Sequence, residues 1–282
     1  MRIQVSPDAR LFVDVDGSGL VPDGAGMREK PTLLLLHGGP GYDHAGFKPG
    51  FSRLADIAQI IYYDHRGHGR SDRRPIEELT LDTYAEDVVR LCDALGITKP
   101  ILLGQSFGGF VAQRYIDKYP EHPAKVILSS TSPSLGLARK LAVFERLGGT
   151  EARDAAEQFW RSPSETTWVA YQRVCKPLYS QAPLACGDVV PRTTVNKDIL
   201  FAFAGEEQQI MNLLPGLARA QCPVLVLAGE LDPVCPLEDA KDIVAALPAH
   251  FVQFEQFDGC GHGVWRDAPD AAFARIRRFI NE

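Results

Sequence analysis

The sequence predicts an α/β protein, a mostly parallel, doubly wound sheet interrupted by one all-helical insertion. Three observations carry that expectation. Short runs that are apolar throughout recur along the chain, as suits strands buried on both faces. Stretches with apolar residues at helical spacing fall between them, and strand alternating with helix makes a parallel sheet. The alternation then stops near residue 133 and resumes after 215, with aromatic-rich helical patterns in the interval.

Arg2 to Val15 holds two strand-like runs around Pro7-Asp8-Ala9, which reads as a hairpin. Residues 16–30, rich in Gly and carrying a Pro, are expected to form an irregular loop. Thr32 to Leu36 is the first continuous apolar strand. Ile60–Tyr63, Ile101–Leu103, Lys125–Ser129, Val224–Ala228 and Val252–Glu255 repeat its signal. Leu81 to Leu95 is the plainest helix, and another opens at Gly109. In the interval, Phe144, Phe159, Trp160, Trp168, Tyr171, Phe201 and Phe203 mark helical segments with no convincing core strand. The expected organisation is a core of residues 1–132 and 216–282, with residues 133–215 inserted between core strands as a helical cap.

A chain of 282 residues that is 45% hydrophobic and 23% charged has enough apolar side chains for a large core. Its net charge of −6 argues against nucleic acid or an anionic membrane surface as partner. No apolar stretch approaches the roughly 20 residues of a membrane span. The first residues lack the apolar core of a secretory signal, so a cytoplasmic protein is expected. The cysteines at 92, 175, 186, 222, 235 and 260 show neither C-x-x-C pairs nor metal-ligand clustering. They read as free thiols of a reducing compartment, with no metal and no cofactor expected.

Gly104-Gln105-Ser106-Phe107-Gly108 follows a short apolar strand and opens a helix. G-x-S-x-G in that setting is a nucleophile elbow, a turn so tight that bulk at Gly104 or Gly108 would collide with neighbouring backbone. It lifts Ser106 clear of the sheet edge. A serine hydroxyl is a poor nucleophile at neutral pH and needs a base, itself oriented by a carboxylate. Elbows of this kind go with the chain order Ser, acid, His. Among seven histidines, His262 stands in a loop after the last strand-like run, where that base belongs. Asp232 directly follows the strongest late strand and is the candidate acid, with Asp258 and Glu230 as fallbacks. The strand after the elbow ends in Ser129-Ser130-Thr131-Ser132 and offers no carboxylate.

Charge that develops on a substrate oxygen during attack needs waiting N–H donors. The N–H of Phe107, just after Ser106, and that of Gly39, in the bare loop His37-Gly38-Gly39-Pro40-Gly41, are the candidates. His37 is expected to brace that loop. Asp64-His65-Arg66-Gly67-His68-Gly69-Arg70-Ser71 is expected to be a hydrogen-bonded structural turn, because His65 and His68 lack a third ligand at suitable spacing.

With H-G-G-P-G, D-H-R-G-H-G-R-S, G-Q-S-F-G-G, G-E-L-D-P-V-C-P and C-G-H-G-V-W in this order, the chain resembles the α/β-hydrolase superfamily over almost its whole length outside the cap. The H-G-G-P-G loop is similar to that of the prolyl iminopeptidase branch. That resemblance implies a serine peptidase that removes an N-terminal proline, with acidic cap residues holding the free amine. Some iminopeptidases place a Glu directly after the catalytic Asp, where this chain has Pro233. Glu206 and Glu207, in the cap, are the candidate amine anchors instead. The expected activity is hydrolysis of a small amide or ester, with a small molecule or short peptide as partner. A carboxylesterase, a lactonase and a cofactor-independent C–C bond hydrolase keep the same three residues, so the substrate stays open. A non-catalytic receptor of the same fold would not need them.

Overall fold

The apolar runs become strands and the periodic stretches become helices in the computed structural model, which describes residues 1–182 and 192–282. The strands are β1 (Arg2–Ser6), β2 (Ala9–Asp16), β3 (Leu20–Asp23), β4 (Gly26–Glu29), β5 (Thr32–Leu36), β6 (Gln59–Tyr63), β7 (Ile101–Gln105), β8 (Lys125–Ser129), β9 (Val224–Gly229) and β10 (Val252–Phe257). Eight of them form one sheet in the order β1-β2-β6-β5-β7-β8-β9-β10. The pairings β1–β2 and β2–β6 are antiparallel and the rest are parallel.

Successive side chains of a strand point to opposite faces, and both faces here are dry. Leu34 and Leu36 of β5 join Leu102, Val126, Val226, Val111 and Tyr115 on one side. Leu33 and Leu35 join Leu103, Ile127, Leu225, Trp265 and Phe279 on the other. Burying one such Leu fully is worth about 1.5–3 kcal/mol, which is why the central strands carry no polar alternation. Helices α1 (Leu81–Leu95) and α2 (Phe107–Lys118) cover the first face. Thr80 caps α1, its hydroxyl accepting the N–H of Thr83, and Gly96 ends it in the left-handed conformation (φ 69°).

Residues 16–30 differ from the expected irregular loop. β3 pairs antiparallel with β4 around Gly24, whose φ is 58°. This ribbon buries almost nothing: Leu20 is 51% and Met27 57% exposed. A buried face was therefore not written into its sequence, and only Pro22-Asp23-Gly24 marks the turn.

Between β8 and β9 run α3 (Leu137–Arg161), kinked at Gly149, then α4 (Glu165–Val174), α5 (Lys197–Gly205), α6 (Glu207–Ile210) and α7 (Leu214–Leu217). Phe144, Phe159, Trp160, Trp168 and Tyr171 form a separate buried cluster there with Val234 and Cys235 from the loop after β9. Phe203 of α5 instead packs edge-on against Phe107, with ring centroids 5.0 Å apart. The boundary expected at residue 215 falls inside α7, where Gly216 sits against Asp117 of α2. The chain ends with α8 (Leu237–Ala246), α9 (Val264–Asp267) and α10 (Pro269–Asn281). Among the described residues no helix is long and apolar enough to cross a membrane. The described cysteines, at 92, 175, 222, 235 and 260, are free and buried; Cys186 lies outside the described residues.

Candidate active site

β7 delivers Ser106 to the carboxyl edge of the sheet, and α2 starts at the next residue. Ser106 has φ 55° and ψ −116°, a sparsely populated conformation that costs about 1–3 kcal/mol and needs its surroundings to hold it. They do so in several ways. Its N–H donates to the Ser129 carbonyl (3.0 Å), and its own carbonyl accepts the N–H of Gly109 (2.8 Å) and the hydroxyl of Thr131 (2.9 Å). A Cβ on Gly104 would overlap the Gly108 carbonyl, and one on Gly108 would overlap that of Leu36. The small residues are therefore a steric requirement of this turn.

The loops after β9 and β10 bring two more groups to Ser106. His262 Nε2 lies 3.0 Å from Ser106 Oγ, and His262 Nδ1 lies 2.9 Å from Asp232 Oδ2. A carboxylate can only accept, so Nδ1 donates to Asp232, which in the neutral ring leaves Nε2 as the acceptor for the serine hydroxyl. The other oxygen of Asp232 accepts the N–H groups of Val234 and Cys235, both at 2.8 Å. Asp232 is fully buried, and Ser106 and His262 are nearly so. Asp258 bonds Gln256 and Glu230 bonds the Gly259 N–H at the surface, away from this chain of contacts. Asp232, Cys235 and His262 form the one metal-capable cluster among the described residues, with donor atoms within 4.8 Å of one another. Hydrogen bonds already engage its aspartate and histidine atoms, and burial pushes the Cys235 thiol well up.

Phe107 is the first residue of α2, so its N–H has no acceptor within the helix. The glycine loop lies against the elbow: a Cβ on Gly38 would stand 3.4 Å from the Ser106 Cβ. Gly39 has φ 140°, which a side chain would rarely tolerate. His37 braces this loop as expected. Its Nδ1–H donates to the Gly38 carbonyl (2.7 Å), and its Nε2 accepts the N–H of His65 (3.1 Å).

The Asp64–Ser71 turn is a hydrogen-bonded structure. Asp64 accepts from His44 Nδ1 and from the N–H groups of His44 and Arg70. Burial pushes the Asp64 carboxyl up, but these donors and nearby His37 outweigh it and hold it down at about 2. The buried guanidinium of Arg66 grips both oxygens of Asp87, at 2.8 and 2.6 Å. Burial pushes His37 down, His65 well down and His68 down to about 3.

The cap glutamates stand differently. Glu206 is exposed at the end of α5. Glu207, half-buried, directs both oxygens at the Leu81 N–H, the first of α1. Burial pushes its carboxyl up.

Several contributors carried no recognised sequence signal. Ser130 accepts the Gly263 N–H at 3.1 Å. Tyr179 accepts the His262 N–H through its carbonyl (2.6 Å) and sets its ring edge-on to the imidazole, centroids 5.3 Å apart. The run of hydroxyls at 129–132 was the available clue for Ser130 and Thr131. Tyr179 had none, because its main contact is through backbone.

Comparison with known proteins gives the family. Residues 31–267 match the family described as alpha/beta hydrolase fold. The chain belongs to the α/β-hydrolase family. This α/β hydrolase is 30% identical to a proline iminopeptidase of Lactobacillus delbrueckii subsp. bulgaricus, over 83% of its own length and 84% of that protein. It is 27% identical to the proline iminopeptidase PfmaB of Pestalotiopsis fici, over 96% and 99% of the two chains. In fold it is similar to an esterase from Exiguobacterium antarcticum, with a TM-score of 0.74 at 21% identity over 100% and 99% of the chains. The chain is thus a hydrolase enzyme that resembles the prolyl iminopeptidases.

Proposed function

We propose that the enzyme is a serine hydrolase that cleaves a small amide or ester through an acyl-enzyme, with N-terminal proline compounds as its first candidate substrates. The unbroken line Ser106–His262–Asp232 at 3.0 and 2.9 Å carries this reading. His262 Nε2 takes the hydroxyl proton as Ser106 Oγ attacks the carbonyl carbon, then gives it to the departing amine or alcohol. Asp232 holds the tautomer and stabilises the imidazolium. Water then repeats the cycle against the acyl-enzyme and releases the acid. The N–H groups of Phe107 and Gly39 receive the oxyanion; losing one such donor typically costs ~10²–10³ in turnover. The helical insertion 133–215 acts as a cap whose aromatic cluster shields the site from bulk water. The buried free thiols support a cytoplasmic setting, which fractionation of cells making a tagged chain would check.

Similarity to the two iminopeptidases supports the proline reading, with Glu206 as the cap carboxylate still open to an amine. A carboxylesterase is the second reading, and a specific observation favours it: Glu207 is already engaged with Leu81. Hydrolysis of proline p-nitroanilide against p-nitrophenyl acetate and butyrate, with Ser106→Ala as control, separates the two. Anilide cleavage lost in the variant supports the aminopeptidase. Ester cleavage alone supports the esterase. Activity that survives Ser106→Ala overturns the mechanism.

A further inference from the structure

The loop that bears His262 is bonded to the helical insertion as closely as to the sheet. The His262 N–H donates to the Tyr179 carbonyl at 2.6 Å. A Cβ on Gly261 would overlap that same carbonyl, so the two backbones touch. Asp267, at the end of α9, closes the contact from the other side. Its Oδ2 accepts the N–H of Gly261 (2.6 Å) and that of Gln181 (3.1 Å), and its Oδ1 accepts the Ser180 hydroxyl. One carboxylate thus joins the residue before His262 to the two residues that follow Tyr179. The ring of Tyr179 stands edge-on to the imidazole, and its hydroxyl meets that of Tyr171 at 2.8 Å, beside the aromatic cluster.

We infer that Asp267 is a positioning residue, which clasps segment 179–181 of the insertion to the Gly261–His262 backbone and so sets the imidazole on Ser106. This rests on the serine-hydrolase reading above. Sheet contacts on this loop, such as Leu231 N–H to the Cys260 carbonyl and Gly263 N–H to Ser130 Oγ, flank the imidazole residue without touching its own N–H. His262 is therefore coupled to the insertion, and a displacement of 179–181 moves the base.

The test compares Asp267→Ala, Asp267→Asn and Ser180→Ala in the full chain. Turnover of p-nitrophenyl butyrate is divided by the sites titrated with a fluorophosphonate. This normalisation removes misfolded protein from the comparison. Misplacing a reacting group by about 1 Å can cost ~10²-fold, so Asp267→Ala is expected to lower kcat per titrated site roughly 10–100-fold. KM should stay within about threefold, the pattern of a lost transition-state interaction. Asn can still accept from Gly261 and Gln181 and can donate to Ser180; it should restore most of kcat. Ser180→Ala, which removes one bond, should fall between. Turnover per site near wild type in Asp267→Ala overturns the clasp, as does an Asn variant no better than Ala. If Asp267→Ala yields no folded protein, Ser180→Ala decides: kcat per titrated site clearly below wild type at unchanged KM supports the clasp, and wild-type kcat overturns it. Failure of the fluorophosphonate to label wild-type Ser106 would instead bring down the hydrolase reading itself.

Discussion

Both carboxylate oxygens of Glu207 lie within hydrogen-bonding reach of the Leu81 N–H, at 3.2 and 3.1 Å. A helix leaves its first N–H groups without intrahelical acceptors, and here a residue of the insertion supplies one to α1. The contact ties the two parts of the chain together beside Tyr84, whose ring packs on Phe107.

Glu207→Ala is therefore expected to lower stability by the worth of a helix-capping acceptor, about 0.5–2 kcal/mol. Glu207→Gln, which keeps an oxygen, should lose less. Burial holds the Glu207 carboxyl above its ordinary value of 4.5. The folded state then keeps that proton to higher pH than the unfolded chain, and the group's contribution to stability falls as pH rises through that window. The Gln variant should remove this slope from urea unfolding curves taken across it. A large rise in KM for proline p-nitroanilide alone would assign Glu207 to the substrate amine instead.

How much of this was legible depends on where each signal is written. Leu33 to Leu36 announce a two-sided strand because every position is buried, and Gly104, Ser106 and Gly108 announce the elbow because sterics leave few alternatives. Asp232 and His262 could be placed by chain order and strand ends alone. Leu20 and Met27 announce nothing, since their ribbon buries no face. The Tyr179 carbonyl is backbone, which any residue supplies, so its hold on His262 appears only in three dimensions. Glu207 looked like a charge free for a ligand because its partner, Leu81, is 126 residues away and offers only an N–H.

Steric demand at the elbow predicts a sharp contrast between glycines. A Cβ on Gly108 would overlap the Leu36 carbonyl, whereas one on Gly24 meets nothing within 4 Å. Gly108→Ala should cost at least the roughly 1–3 kcal/mol of an overpacked core and should leave little soluble, active enzyme. Gly24→Ala bears only the left-handed backbone penalty, about 1–2 kcal/mol. Soluble yield and the urea midpoint of each variant, measured side by side, check the ranking.

Acid should unfold the protein through its buried histidines. Burial pushes His37, His65 and His68 down from 6.5, His68 to about 3. Below 6.5 the unfolded chain takes up protons that the folded chain refuses, so each group removes stability as pH falls from 6.5 toward its folded value. The full slope is about 1.4 kcal/mol per pH unit per histidine. Above 6.5 none of the three contributes a slope. His68→Gln should reduce the proton uptake on unfolding at pH 5 by nearly one. An unchanged pH slope in that variant would show that His68 is charged in the folded state.

The glycine loop and the insertion meet at Gly41, and that junction gives the last prediction. The Gly41 carbonyl accepts the Asn196 N–H at 2.7 Å, and Asp43 accepts the Thr194 N–H at 2.9 Å. Gly41 has φ 87°, and a Cβ there would overlap the Asn196 carbonyl. Gly41→Ala must therefore either push residues 194–196 outward or pull the loop, and with it Gly39, away from Ser106. If Gly39 N–H serves the oxyanion, pulling the loop removes one donor and kcat should fall by up to ~10²–10³. Pushing the insertion outward leaves that donor in place and shows instead as a raised KM. The two responses are separable in a single set of ester kinetics with the Ser106→Ala background subtracted. A variant with wild-type kcat and KM would show that neither the loop nor residues 194–196 bear on the reaction.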